Sequence, residues 1–150
     1  MEYRHTQPGW IIIAAVVAAI VFFVFSPSGS QASQLNRDLE ALLVVAILGL
    51  FSSLTVEIKE GFLRCRLGPG IIRRRFLLTD IEEARSVRNP WYAGWGIRWR
   101  PDQYVLWNVS GRNAVELVLK GGKRFRIGTD EPDVFVQAIQ KNKPPYSTTI

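Results

Sequence analysis

Residues able to do covalent or acid–base chemistry are scarce in this chain. The single histidine, His5, lies in an N-terminal tail away from any predicted pocket. That leaves no base for a Ser-His-Asp or Cys-His nucleophile and no set of ligands for a multi-His or Cys metal site. The single cysteine, Cys65, excludes an intrachain disulfide. It shares the apolar side of an alternating run with Leu63 and Leu67, where a thiol acts as a small buried hydrophobe. Two carboxylate groups remain, Glu82-Glu83 and Asp130-Glu131-Asp133. The first sits beside a helix-cap pattern and the second opens a helix, where acids complement the dipole. Gly94-Trp95-Gly96 lacks the third glycine and the following helix of a dinucleotide fingerprint, and no Walker-type lysine occurs. Asn108-Val109-Ser110 matches a glycosylation acceptor only formally, because it falls within or beside a strand. The chain therefore reads as noncatalytic, with no cofactor and no metal.

Cations and aromatics carry the remaining chemical content. Lys59, Arg64 and Arg66 flank a first hairpin in an order superficially like the basic motif of eukaryotic phosphoinositide-binding modules. The spacing from Lys59 to Arg64 is short, however, and Glu60 puts a negative charge in the turn. In Arg73-Arg74-Arg75 a period of two places Arg73 and Arg75 on one face and Arg74 with Ile72 and Phe76 on the other. A lipid-facing patch would therefore use Arg73 and Arg75. Trp91, Tyr92, Trp95, Trp99, Tyr104 and Trp107 cluster among Arg88, Arg98 and Arg100. If Trp95, Ile97 and Trp99 share a strand face, Trp91 and Tyr92 are left as the exposed pair, suited to a lipid interface or a protein hot spot. Nucleic acid is not the expected partner for a module held close to a bilayer.

The elements that position these groups begin with two uncharged apolar stretches, Trp10 to Phe25 and Ala41 to Val56. Each gives about 24 Å of helix, and flanking residues extend them to spans of about 10–26 and 39–56, so a transmembrane hairpin is expected. A cleaved secretory signal is the weaker alternative for the first stretch, because Gln31-Ala32-Ser33 makes a poor cleavage site. The 26–40 loop holds Arg37 against Asp38 and Glu40, whereas Lys59, Arg64, Arg66 and Arg73 to Arg75 follow the second stretch. That asymmetry predicts a multi-pass protein of a bacterial inner membrane with both termini cytoplasmic. Of 19 Lys and Arg, 17 lie from Glu57 onward, against 10 of the 13 acids, so this part carries a net +7. Such a field suits anionic lipid, an acidic protein or nucleic acid without choosing among them.

Beyond residue 56 the pattern is mostly of period two. Val56 and Ile58, then Leu63, Cys65 and Leu67, alternate with charges around a Glu60-Gly61 turn, and Gly68-Pro69-Gly70 leads into Ile71 to Leu78. A segment through Ile81 to Val87 follows, with a helical turn where Thr79 and Glu82 stand at capping-box spacing. Strands are expected at Tyr104 to Val109 and on either side of Gly121-Gly122. From Thr129 and Asp130, residues able to cap, the period changes to that of a helix with Val134, Phe135, Ala138 and Ile139 on one stripe.

About seven antiparallel strands and a C-terminal helix make a small barrel or sandwich. Leu77-Leu78-Thr79-Asp80-Ile81, Gly94-Trp95-Gly96-Ile97-Arg98 and the run from Gly122 to Asp130 before the final helix resemble segments of bacterial pleckstrin-homology-like membrane proteins. The resemblance covers Thr55 to Asn142. It implies an α+β chain in which a two-helix transmembrane hairpin (1–56) precedes a PH-like antiparallel barrel or sandwich (57–143) and a short tail (144–150). The expected function is noncatalytic: a protein-interaction or scaffolding element, with a protein partner or its own copies, at the cytoplasmic face of the membrane in which it is integral. The alternative is a module that responds to anionic lipid headgroups. Candidate contacts are Trp91, Tyr92, Arg73, Arg75, Lys59, Arg64 and Arg66.

Overall fold

A computed structural model describes residues 2–27, 31–101 and 103–145. Strand β1 (Tyr3–Pro8) is followed by helices α1 (Trp10–Phe25) and α2 (Gln31–Leu50). Then come β2 (Ser53–Lys59), β3 (Phe62–Leu67), β4 (Ile72–Leu77), β5 (Ile81–Arg88), β6 (Gly96–Arg100), β7 (Tyr104–Asn108), β8 (Asn113–Leu119), β9 (Arg124–Gly128) and helix α3 (Pro132–Asn142). Single 3-10 turns stand at Leu78–Asp80 and Trp91–Ala93. The strands form two sheets, ordered β1-β2-β3-β4 and β5-β8-β9-β7-β6.

The first sheet follows directly from alternation. Leu54, Val56 and Ile58 of β2 and Leu63, Cys65 and Leu67 of β3 all point inward and are buried. Opposite them the second sheet supplies Trp107, Val115, Leu117, Phe125 and Ile127, and α3 adds Phe135 and Ile139. The turn between β2 and β3 places both Glu60 (φ 53°) and Gly61 (φ 77°) in the left-handed region, as a two-residue hairpin requires. Helix α3 covers one open side of the sandwich. Its Phe135 stacks on Tyr3 with ring centroids 5.7 Å apart, and the Tyr3 hydroxyl donates to Glu131 Oε1 at 2.6 Å. Burial and that carboxylate push the Tyr3 phenol well up, so it remains a donor.

The N-terminal residues are not a tail. They pair with β2 from Tyr3↔Ile58 to Pro8↔Ser53, so the helical hairpin leaves the sheet as an excursion between two adjacent strands. His5 accordingly lies within the fold, its Nε2 2.5 Å from Asp130 Oδ1 and its Nδ1 3.2 Å from Glu131 Oε1. Asp130 is thus engaged by His5, and Thr129 Oγ1 accepts from the Glu131 amide at 3.2 Å.

Two expectations are overturned. The fold class was expected to be a two-helix transmembrane hairpin with a PH-like barrel or sandwich of about seven strands. Instead there are three helices and two sheets of four and five strands, and no barrel closes. Among the described residues no helix is long and apolar enough to cross a membrane. Helix α1 is apolar throughout but has only 16 residues, about 24 Å against a roughly 30 Å hydrocarbon core. Helix α2 has 20 residues, but Gln34, Asn36, Arg37, Asp38 and Glu40 make its first half polar. Ser53 to Val56, read from sequence as the end of a span, is the start of β2, where Thr55 meets Thr6 across the strands. The localisation, multi-pass in an inner membrane with cytoplasmic termini, falls with the spans on which it depended.

The foot of the hairpin is tightly built. The Gly9 amide donates to Ser52 O at 2.7 Å and the Gly68 amide to Ser53 O at 2.8 Å. Gly68 (φ 51°) lies so close to α2 that a β-carbon there would stand 2.6 Å from Leu50 O and 2.7 Å from Gly49 O. We expect Gly68→Ala to cost about 2–3 kcal/mol, since both the backbone conformation and the contact oppose it. Gly61→Asn, in open space, should cost under about 1 kcal/mol. Equal unfolding midpoints for the two variants would contradict this close approach.

Candidate functional site

Two surfaces carry the candidate contacts, and the structure adds a third. The outer face of the first sheet gathers all five candidate cations. Registers Arg64↔Arg75 and Arg66↔Arg73 set arginine opposite arginine, with Lys59 one strand away. Like charges directly opposite repel, and neighbouring groups relieve only part of this. Arg64 reaches Glu60 at 3.6 Å, Arg66 reaches Glu57 at 3.7 Å, and Lys59 reaches Glu2 at 3.2 Å. The Glu2 carboxylate holds the Lys59 ammonium above its usual range. Arg75 lies over the Phe62 ring at 5.3 Å. Arg73 makes no ion pair with any described residue. The face forms a shallow cavity of about 530 Å³ lined by Glu57, Arg64, Arg66, Arg73 and Arg75. Cys65 lies beneath it, its thiol pushed up to about 12 by burial and so held neutral.

The Trp91–Ala93 turn lies on the outer face of the other sheet. Ala93 is buried with Tyr104 and Leu106, which anchors the turn, while Trp91 is 80% exposed and Tyr92 61%. Their rings meet edge to face at 5.9 Å, and the Arg100 guanidinium sits 5.2 Å from the Tyr92 ring. Trp91 and Tyr92 therefore face away from Arg73 and Arg75, on the opposite side of the sandwich. The structure brings the five cations together and does not bring the aromatic pair to them.

The third surface was not singled out from sequence. Ile97 and Trp99 alternate inward from β6, the last strand of its sheet, and Trp99 remains 75% exposed. The first sheet stops at β4 and does not reach them. The result is a cleft of about 750 Å³ between β4 and β6, floored by Ile97, Trp99, Val105, Trp107 and Phe125. Arg74 projects into it, its guanidinium 5.2 Å from the Phe125 ring and 5.5 Å from Phe76. Period two gave the shared face of Ile97 and Trp99; it could not tell that β6 would be an edge.

Behind the aromatic turn lies a buried charge network. Glu116, fully buried, accepts from Arg85 Nε at 3.0 Å, from Arg85 Nη2, and from Arg126 Nε at 2.7 Å. Arg126 also lies 3.8 Å from the Tyr104 ring and donates to Asn89 Oδ1 at 3.2 Å. Burial pushes the Glu116 carboxyl up, but the hydrogen bonds from Arg85 and Arg126 outweigh it and leave the group below its usual range. Asn108 is likewise structural, its Nδ2 donating to Gly111 O at 3.0 Å from a buried position. Glu82 and Glu83 are exposed at the start of β5, where the pairing register shifts. Among the described residues no group of three or more His, Cys, Asp or Glu is arranged to hold a metal ion. No protein-family model matches the chain, and no curated protein matches its sequence.

Because the folded carboxyl of Glu116 titrates below its unfolded value, its contribution is complete above about pH 4.3 and is lost as pH falls through the folded value. Glu116→Gln should therefore cost about 2 kcal/mol at pH 7 and less at pH 3. Urea unfolding at both pH values measures this; an equal loss at both would contradict a charged Glu116.

Proposed function

We propose that the protein is a noncatalytic interaction module that rests against lipid through its helical hairpin. The observation that carries this reading is the exposure of α1. Ile12, Ile13, Val16, Ala19 and Phe23 turn toward partial or full burial, and every other side chain of the helix is apolar and exposed. Helix α2 adds exposed Leu39, Leu42, Leu43 and Ile47. A protein groove covers one further stripe of a helix, whereas α1 is apolar on every side that α2 leaves open and needs apolar surroundings on all of them. Removing one such side chain from water gains about 1.5–3 kcal/mol. The reading requires contact with hydrocarbon and not a crossing of it.

The foot of the hairpin supports the same reading. Trp10 opens α1 at 68% exposure, and Ile71, 73% exposed, follows the turn packed against Leu50. Trp95, 42% exposed, precedes Gly96, whose β-carbon position is 3.9 Å from the Phe51 ring. Aromatics in such a ring suit the headgroup level. Arg66 and Arg73 lie one residue pair from this end of the sheet, since Leu67↔Ile72 is its last pair. An anionic surface there would add about 1 kcal/mol per cation, which favours a headgroup contribution beside the apolar one.

Vesicle flotation of the full chain separates the two contributions. We expect it to float with neutral phosphatidylcholine vesicles, and more completely with anionic lipid at low salt. Phe22→Lys combined with Val24→Lys should abolish flotation with neutral vesicles. Arg66→Ala with Arg73→Ala should remove only the anionic increment. A full chain that stays monodisperse without detergent and floats with neither vesicle would overturn the reading.

A further inference from the structure

We propose that the cleft between β4 and β6 is a docking site for an extended acidic segment of a partner protein, which adds as a strand to the free edge of β6. This goes beyond the lipid reading and uses different residues. Three observations converge on it. First, β4 and β6 both end their sheets, so each presents backbone donors and acceptors with no strand beside them among the described residues. On the other side of the sandwich α3 packs against β5, β8 and β2, so that side is covered. Second, β6 sorts its side chains by face. Ile97 and Trp99 turn into the cleft, and Arg98 and Arg100 turn outward with Leu106 and Tyr104. A strand laid beside β6 would place alternate side chains on these two surfaces, apolar ones against Ile97 and Trp99 and acidic ones against Arg98 and Arg100.

Third, the charge is one-sided. Arg74, Lys123 and Arg124 rim the cleft, and no described carboxylate lines it. None of Arg74, Arg98, Arg100 or Arg124 forms an ion pair with a described residue; Arg74 and Arg100 rest instead on aromatic rings. Exposed edge strands are commonly protected by charge, which explains the arginines by themselves. Protection does not account for the exposed Trp99 beside an apolar floor, because a large aromatic on an open edge invites pairing. Together the edge, the aromatic and the cations fit a ligand that is extended, acidic and apolar on alternate residues.

The test uses the full chain in detergent micelles and a fluorescently labelled ten-residue peptide of alternating Glu and Val, followed by anisotropy. We expect saturable binding that Trp99→Ala weakens about tenfold or more. Arg98→Glu with Arg100→Glu should abolish it, while Arg64→Ala with Arg73→Ala on the other sheet should leave it within about twofold. The same Glu-Val peptide with every backbone amide N-methylated keeps its charge, cannot donate to the edge and should not bind. Binding of the N-methylated peptide as tight as that of the unmodified one would mean charge attraction alone and would overturn strand addition. Failure of the Glu-Val peptide to bind, with oleate binding in a Trp99-dependent way, would overturn the peptide reading in favour of an anionic amphiphile. No binding of either would overturn the site. Thermal unfolding of each variant identifies any that has lost its fold, and Trp99→Phe, which keeps an aromatic, should retain most of the affinity.

Discussion

Strand β1 pairs with β2 along its full length, and this brings the two feet of the helical hairpin within one hydrogen bond of each other, Gly9 amide to Ser52 carbonyl. Holding the ends of the intervening segment, residues 9–52, together costs on the order of 3 kcal/mol in chain entropy for a flexible loop. Helix formation and the antiparallel contact of α1 with α2 offset much of that, because the segment is not a flexible loop. The stripe Ile12, Val16, Ala19 and Phe23 on α1 and Arg37, Ala41, Val45 and Leu48 on α2 has the spacing of two helices side by side. Without the β1–β2 ladder, His5 and Tyr3 would lose Asp130 and Glu131, and α3 would lose the ring it stacks on. The ladder therefore fixes both the direction of the hairpin and the covered side of the sandwich.

The two sides of the sandwich then differ in a way that bears on function. On one side α3 supplies Phe135 and Ile139 to the core and closes the space between the sheets. On the other side nothing described fills the gap, so Trp99 stays exposed and Arg74 lies on the Phe76 and Phe125 rings instead of a carboxylate. Charge is likewise divided. Acidic Glu116 is enclosed by Arg85 and Arg126 as part of the scaffold, whereas the arginines of β4 and β6 are left to solvent or aromatic faces. The hairpin, the basic sheet and the open cleft are three separate surfaces on one small body.

Much of this was legible in the sequence where a single period dominates. Alternation gave the β2–β3 hairpin, the opposite faces of Arg73 and Arg74 and the strands around Gly121-Gly122, and the change to the helical period gave α3. It also gave the burial of Cys65 and the exposure of Trp91 and Tyr92. Apolar content misled where it competed with alternation. Ser53 to Val56 continued a hydrophobic run and so read as helix, although Thr55 and Val56 belong to a ladder with partners on both sides. Tyr3 to Pro8 has no strong pattern, and its strand exists because β2 offers an edge. Nor could sequence show that β6 ends its sheet, which decides that Ile97 and Trp99 line a cleft and are not core.

The central claim is that lipid hydrocarbon covers the sides of α1 that α2 leaves open, and site-directed quenching tests it most directly. Cys65 is buried and held as the neutral thiol, so single cysteines placed at Val17, Ile20 and Val21 label selectively. With a bimane probe at each position and the full chain on phosphatidylcholine vesicles, the account predicts quenching by doxyl-labelled lipid at all three sites and little by aqueous iodide. Quenching by iodide with none by doxyl lipid would contradict it.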